Sequence, residues 1–237
     1  MRKIFIADAH LRSPRDRNYR TLVRFLDTLP ADTDTLFLLG DIFEFWIGNP
    51  RPVYDHYREI VECLKRVRGR GVRIVYFEGN HDFHLGDFFK EQLQAEVHAG
   101  GAECEVDGKK VCLCHGDQLN RADYGYRALR FALHNPLVRA LVPVFPRRLA
   151  DRIAVNLSRR SSGQHASRKS RWDYPAILEN FARERFAAGC DLVVTGHFHL
   201  PMEIREGGRA FISLGDWITH YSYAQWTEAG LTLERFD

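Results

Sequence analysis

Short apolar runs alternate with stretches of helical periodicity through the first part of the chain, the pattern of strands joined by helical crossovers. Residues 3–7 read as a first strand. Asn18 offers an N-cap to a helix that carries Leu22, Phe25, Leu26 and Leu29 on one face and stops at Pro30. Residues 35–39 form the next strand. An amphipathic helix over 53–70 then turns Ile60, Val61 and Leu64 inward, with Gly71 as its stop, and 72–77 is a strongly apolar third strand.

Beyond this point the pattern changes to short strands in hairpins. Residues 102–106 and 109–114 flank Asp107-Gly108, a dipeptide suited to a tight turn, and 192–195, 202–205, 209–214 and 220–225 continue as strands, with Gly207-Gly208 as a further turn. The stretch 119–172 reads instead as helices broken at Pro136, Pro143 and Pro146. It is expected to be a cap inserted into a core made of 1–118 and 173–237.

Polar residues able to bind metal follow the predicted strands. Asp8 and His10 come after the first, Gly40-Asp41 after the second, Gly79-Asn80-His81-Asp82 after the third, then His115-Gly116-Asp117 and Gly196-His197-Phe198-His199 after later ones. A sheet brings such strand ends to one rim. Carboxylates, an amide and imidazoles without thiolate suit manganese, iron or zinc at a catalytic centre better than a structural zinc site. The expected arrangement has Asp8, His10 and His199 on one ion and Asn80, His115 and His197 on the other. Asp41 bridges the pair, as a carboxylate does between ions about 3.5–4 Å apart. Such a pair cleaves phosphate esters and anhydrides. Asp41, and His81 beside Asn80, are the residues expected to act directly, His81 on the leaving oxygen. Asp82 is expected either to orient His81 or a ligand or to shape the turn.

Composition narrows the partners. Of 237 residues 45% are hydrophobic and 27% charged, enough for one sizeable core, and the net charge of +3 does not mark a nucleic-acid protein. No nucleic-acid partner is expected. The five cysteines are scattered without paired spacing and read as reduced, cytoplasmic thiols; Cys112 and Cys114 share a strand face as packing. No signal core opens the chain and no apolar run is long enough to span a bilayer, so export is not expected and membrane contact would be peripheral.

The ordered motifs Asp8-x-His10, Gly40-Asp41, Gly79-Asn80-His81-Asp82, His115-Gly116-Asp117 and Gly196-His197-x-His199 resemble the calcineurin-like metallophosphoesterases. That resemblance implies an α/β fold, a four-layered αββα sandwich of two mixed sheets, with a dinuclear site at the strand ends. A narrower resemblance rests on 40–48, on His115-Gly116-Asp117, and on Asp123 and Tyr126. It points to the UDP-2,3-diacylglucosamine pyrophosphate hydrolases of lipid A synthesis. It implies manganese, a helical cap, cleavage at the pyrophosphate to UMP and 2,3-diacylglucosamine 1-phosphate, and a place on the cytoplasmic face of the inner membrane. The chain departs from that narrower family at His81, where Arg is common and general phosphoesterases have His. Asn80 and Asp123 are the implied contacts to the substrate's polar head, and Asp123 is equally suited to cap a helix.

In the cap, Leu129, Phe131, Leu133, Leu137, Leu141, Val144 and Phe145 either line an acyl crevice or pack the cap's own helices. The cap arginines, with Arg168 and Lys169 as expected substrate contacts, suit a diphosphate or an anionic membrane surface. A general phosphoesterase acting on nucleotides, phosphodiesters or phosphoproteins would use the same ligands without an apolar cap. A nuclease would need strong salt-dependent DNA binding, and a non-catalytic scaffold is disfavoured by the intact ligand set.

Overall fold

The computed structural model describes residues 1–48, 54–141 and 171–237. Three parallel strands, β1 (Arg2–Ile6), β2 (Thr33–Leu38) and β4 (Arg73–Phe77), are adjacent in a six-stranded sheet. Its order is β13-β12-β1-β2-β4-β6, with β6 at Glu96–His98, β12 at Ser222–Thr227 and β13 at Gly230–Arg235. The β12 strand runs antiparallel to β1, so the sheet is mixed.

The second sheet has the order β10-β11-β9-β8-β7, formed by β7 (Ala102–Val106), β8 (Lys109–Cys114), β9 (Leu192–Thr195), β10 (Met202–Glu206) and β11 (Arg209–Ser213). Here β8, β9 and β11 are parallel and the two edge strands antiparallel. A small parallel pair, β3 (Trp46–Ile47) with β5 (Asp82–Phe83), ties the loops after β2 and β4 together.

Alternation along the strands decides the layering. Phe5, Phe37, Val75 and Phe77 from one sheet meet Leu113, Val194 and Ile212 from the other in a single buried cluster. The opposite face of the first sheet, with Ile4, Ile6, Leu36 and Tyr76, is buried with α1 (Arg17–Asp27), α2 (Arg58–Gly69) and α3 (Gly86–Leu93). On the outer face of the second sheet, Cys112, Val193 and Phe211 join Leu178, Ala182 and Phe186 of a long helix, Tyr174–Ala187. The order is therefore helices, sheet, sheet, helix, as expected for a four-layered sandwich.

Several boundaries differ from the sequence reading for physical reasons. Helix α1 begins at Arg17 with Asp16 at its N-cap; Asn18 lies inside the first turn and its side chain donates to the Ala9 carbonyl at 2.8 Å. A 3₁₀ turn, Asp55–Tyr57, precedes α2, and Gly71 takes φ +89° just past the helix end, as a stop residue does. At the hairpin, Asp107 and Gly108 both have positive φ, 49° and 71°, the geometry that matches the twist of paired strands.

The stretch expected to be a cap contains α4 (Tyr124–Leu133) and α5 (Pro136–Leu141); with these, Tyr174–Ala187 becomes α6. Arg168, Lys169, Val144, Phe145 and the arginines 147, 148, 152, 159 and 160 lie outside the described residues. Leu129, Phe131 and Leu137 are exposed, whereas Leu133 is half-buried. Among the described residues no helix is long and apolar enough to cross a membrane.

Candidate metal centre

Three of the parallel strands in each sheet, β1, β2 and β4 in one and β8, β9 and β11 in the other, carry the site residues just past their C-terminal ends. Asp8 follows β1, Asp41 follows β2, Asn80 follows β4, His115 follows β8, His197 follows β9 and Asp216 follows β11. The loops after β1 and β2 continue to pair past the strands, with Asp8 N donating to Gly40 O (3.1 Å) and His10 N to Asp41 O (2.9 Å). Across the sheets, His197 N donates to Asp8 Oδ2 at 2.7 Å; within the second sheet, Gly196 N donates to His115 O at 2.8 Å.

The side chains converge tightly. His10 Nε2 is 3.2 Å from His199 Nε2, and Asp8 Oδ1 is 3.5 Å from His199 Nε2. On the other side, His115 Nε2 is 3.3 Å from His197 Nδ1 and 3.1 Å from Asn80 Oδ1. Asp41 Oδ2 stands between the groups, 3.4 Å from His115 Nε2 and 3.7 Å from His10 Nε2. The side chains of all seven expected ligands thus come together, Asp8, His10 and His199 on one side and Asn80, His115 and His197 on the other, with the Asp41 carboxylate between them.

Five of these residues have left-handed backbones: Asp8, His10, Asp41, His197 and His199, with φ between 44° and 73°. For a residue with a Cβ this conformation costs about 1–2 kcal/mol, and it persists only where surrounding structure enforces it. The neighbouring glycines allow the crowding. A Cβ on Gly196 would stand 2.6 Å from Asp8 Oδ2, and one on Gly79 would collide with the Asp41 carboxylate.

The imidazoles are aimed from behind. His115 Nδ1 donates to the Leu39 carbonyl at 2.7 Å, which turns Nε2 toward the centre as the atom that would bind a cation once its proton is lost. His199 Nδ1 faces Asp216 Oδ2 at 3.5 Å, and His10 Nδ1 faces Glu44 Oε2 at 3.7 Å. Asp216 also accepts from the amides of Ile218 and Thr219 and pairs with His220 Nδ1 at 2.9 Å. Sequence reading passed over Asp216 and Glu44. For Asp216 a signal existed: Gly215-Asp216 follows a strand just as Gly40-Asp41 does.

His81 stands edge-on to His10, with ring centroids 4.7 Å apart, and its Nδ1 donates to the Glu44 carbonyl at 2.9 Å. Asp82 does not reach His81's ring. Fully buried, it accepts from the amides of Asp41 (2.9 Å), Ile42 (2.7 Å), Phe43 (3.3 Å) and Gly79 (3.0 Å), and from the Tyr76 hydroxyl (2.6 Å), so it anchors the turn and holds the backbone of Asp41 as well.

A cleft opens over the centre, lined by His81, Asn80, Asn120, Asp123, Tyr126 and Trp172 among others. Asp123 caps α4 by accepting from Tyr126 N at 3.0 Å, and it also lines this cleft. Asp117 joins α4 to the centre: it accepts from the Tyr126 hydroxyl (2.7 Å) and from Arg130 Nε. Asn120 and Trp172 were not singled out in the sequence.

Burial and proximity perturb these groups strongly. Burial pushes the Asp8 carboxyl up to about 6, and burial together with neighbouring His115 pushes His197 down to about 3. For His115 burial opposes charging, yet the Asp41 carboxylate outweighs it and raises the imidazole to about 10. Asp41 is held well below the usual carboxylate range; burial works against this, but the imidazoles of His115 and His81 prevail. One buried oxygen, Asp8 Oδ1, accepts no hydrogen bond although it faces two imidazoles. An orphaned carboxylate oxygen inside a mixed oxygen and nitrogen donor set is what a divalent cation would satisfy.

This sandwich and its donor set define a metal-dependent hydrolase of phosphate esters. The chain belongs to the calcineurin-like phosphoesterases, whose family description matches residues 1–201. A UDP-2,3-diacylglucosamine hydrolase from Aeromonas salmonicida is 35% identical over 225 residues, covering 92% of this chain and 86% of that protein. One from Porphyromonas gingivalis is 31% identical over 258 residues, covering 98% and 97%. Among solved structures, an archaeal phosphodiesterase aligns over 100% of both chains with a TM-score of 0.49 and 13% identity.

Proposed function

We propose that this chain hydrolyses the pyrophosphate of UDP-2,3-diacylglucosamine, releasing UMP and 2,3-diacylglucosamine 1-phosphate in lipid A synthesis. What carries this reading is the match to hydrolases of that substrate along nearly the whole chain, at 35% and 31% identity, together with a centre suited to phosphoryl chemistry. Asp8, His10 and His199 would hold one divalent ion, Asn80, His115 and His197 the other, and Asp41 both. Manganese is the metal we assign. When bound, the pair supplies charge neutralisation at the phosphoryl oxygens and a water acidic enough to attack phosphorus in line.

The protein's own part is positioning. Leu39, Asp216 and Glu44 fix the imidazole orientations from behind, so little rearrangement accompanies the reaction. His81, held through Nδ1 on the Glu44 carbonyl, presents Nε2 to the cleft, where its proton meets the charge growing on the leaving oxygen. Asn80 and Asp123 contact the polar head. The stretch 119–172 acts as the cap over 1–118 and 173–237, its apolar side chains meeting the acyl chains. Arg168 and Lys169 join it as contacts to the diphosphate. Access to a lipid substrate places the enzyme on the cytoplasmic face of the inner membrane as a peripheral protein.

A manganese-dependent assay comparing UDP-2,3-diacylglucosamine, its deacylated counterpart and a chromogenic phosphodiester tests this reading. Strong preference for the acylated compound is expected. Equal turnover of all three would replace it with a general phosphoesterase, the class in which His81 is the usual residue.

A further inference from the structure

Arg17, Arg20, Thr21 and Arg24 recur at helical spacing along α1, so their side chains form one stripe. Facing this stripe are Tyr221, just before β12, and Arg235, Phe236 and Asp237 at and beyond the end of β13; the two walls flank an open surface cleft of about 430 Å³. No residue of the metal centre lines it.

Charge is concentrated here against the helix's own preference. Like charges three or four residues apart destabilise a helix, and the first turn of α1 holds Arg17 and Arg20 with no acid beyond Asp16 at the N-cap. The acid lining the cleft is Asp237, whose carboxylate is 96% exposed and 3.7 Å from Arg235 Nε. Arg17 and Arg20 form no ion pair among the described residues.

The guanidiniums are also pre-placed. Arg17 lies over the Tyr221 ring at 5.6 Å and Arg24 over the Phe236 ring at 4.9 Å, while Arg24 Nη2 donates at 2.7 Å to a main-chain oxygen of Asp237, the last residue of the sequence, which a phosphate at Arg24 would displace. A stacked guanidinium has less side-chain freedom to lose on binding, and its planar fork matches phosphate oxygens in pairs. The volume falls within the roughly 300–1,000 Å³ of small-ligand pockets, larger than phosphate alone needs.

We infer that this cleft is a second anion site, separate from the metal centre, which takes a phosphate-bearing ligand: the phosphate or diphosphate group of a soluble compound or of an anionic lipid head group. The inference does not depend on the substrate proposed above.

Arginine Nε–H signals in ¹⁵N NMR spectra of the Mg²⁺-loaded protein report the site directly and separate it from any binding at the metals. Inorganic pyrophosphate should shift the signals of Arg17, Arg20 and Arg24 saturably, and the double variant Arg17→Gln/Arg20→Gln should bind there about tenfold or more weakly. An intact amide spectrum from the strands establishes that the variant is folded, and the wild-type titration stands without it. Vesicles of phosphatidylcholine with and without phosphatidylglycerol separate the sources. Response only to the anionic vesicles assigns a lipid head group; response only to pyrophosphate assigns a soluble ligand. The site is overturned if neither shifts these signals, if sodium chloride at equal ionic strength reproduces the shifts, or if the double variant responds like the wild type.

Discussion

The Asp82 carboxylate accepts the backbone amide of Asp41 at 2.9 Å, so a residue outside the centre fixes the one that stands between its halves. The same side chain accepts three further amides and the Tyr76 hydroxyl while fully buried. Asp82→Ala strands all of those donors and should destabilise the fold by about 3–5 kcal/mol, with metal affinity falling as Asp41 loosens. Asp82→Asn keeps one acceptor oxygen and should cost less. Urea unfolding of both variants checks the order; a loss under about 1 kcal/mol for Asp82→Ala would contradict it.

His81 binds no imidazole or carboxylate of the centre through its Nδ1, which is committed to the Glu44 carbonyl. His81→Ala should therefore lower kcat by about 10²–10⁴ while leaving metal content near that of the wild type. Parallel loss of bound metal and turnover would make His81 a ligand instead.

Proton release should accompany metal loading. His115 is raised to about 10 by Asp41, so the free centre carries a proton on it at neutral pH, and an imidazole must give up that proton to bind a cation. Calorimetry of Mn²⁺ binding at pH 7 in buffers of different ionisation enthalpy should give heats that vary with the buffer. Buffer-independent heats would contradict this electrostatic picture, and affinity should weaken as pH falls.

Much of the scaffold was legible because strand alternation and terminal polar residues are local signals. β9 (Leu192–Thr195) and the hairpin strands β7 and β8 were bounded as read, and every ligand motif lies at a strand end. Less legible were α3 (Gly86–Leu93), β6 (Glu96–His98), α6 (Tyr174–Ala187) and β13 (Gly230–Arg235). β6 has only three residues, and α6 spreads charged residues around its surface so that its apolar face is weakly marked. Glu44 and Asp216 escaped for another reason: what they do depends on contacts with His10 and His199, distant in sequence.

His134 offers a test of stability against pH. Burial, then the charge of Arg130, pushes its imidazole down to about 4, from an ordinary value of 6.5. The unfolded chain therefore takes up this proton first. Its contribution is complete above pH 6.5 and is lost as pH falls toward 4. His134→Phe, which keeps a ring against Phe83 at the same place, should flatten the fall in the urea midpoint over that window. Identical pH slopes for both proteins would contradict the assignment.

The dinuclear centre itself is tested most directly by anomalous diffraction from crystals grown with Mn²⁺. Two peaks about 3.5–4 Å apart are expected, one beside Asp8, His10 and His199 and one beside Asn80, His115 and His197, with the Asp41 carboxylate touching both. A single peak, or two that leave Asp41 in contact with only one, would contradict it.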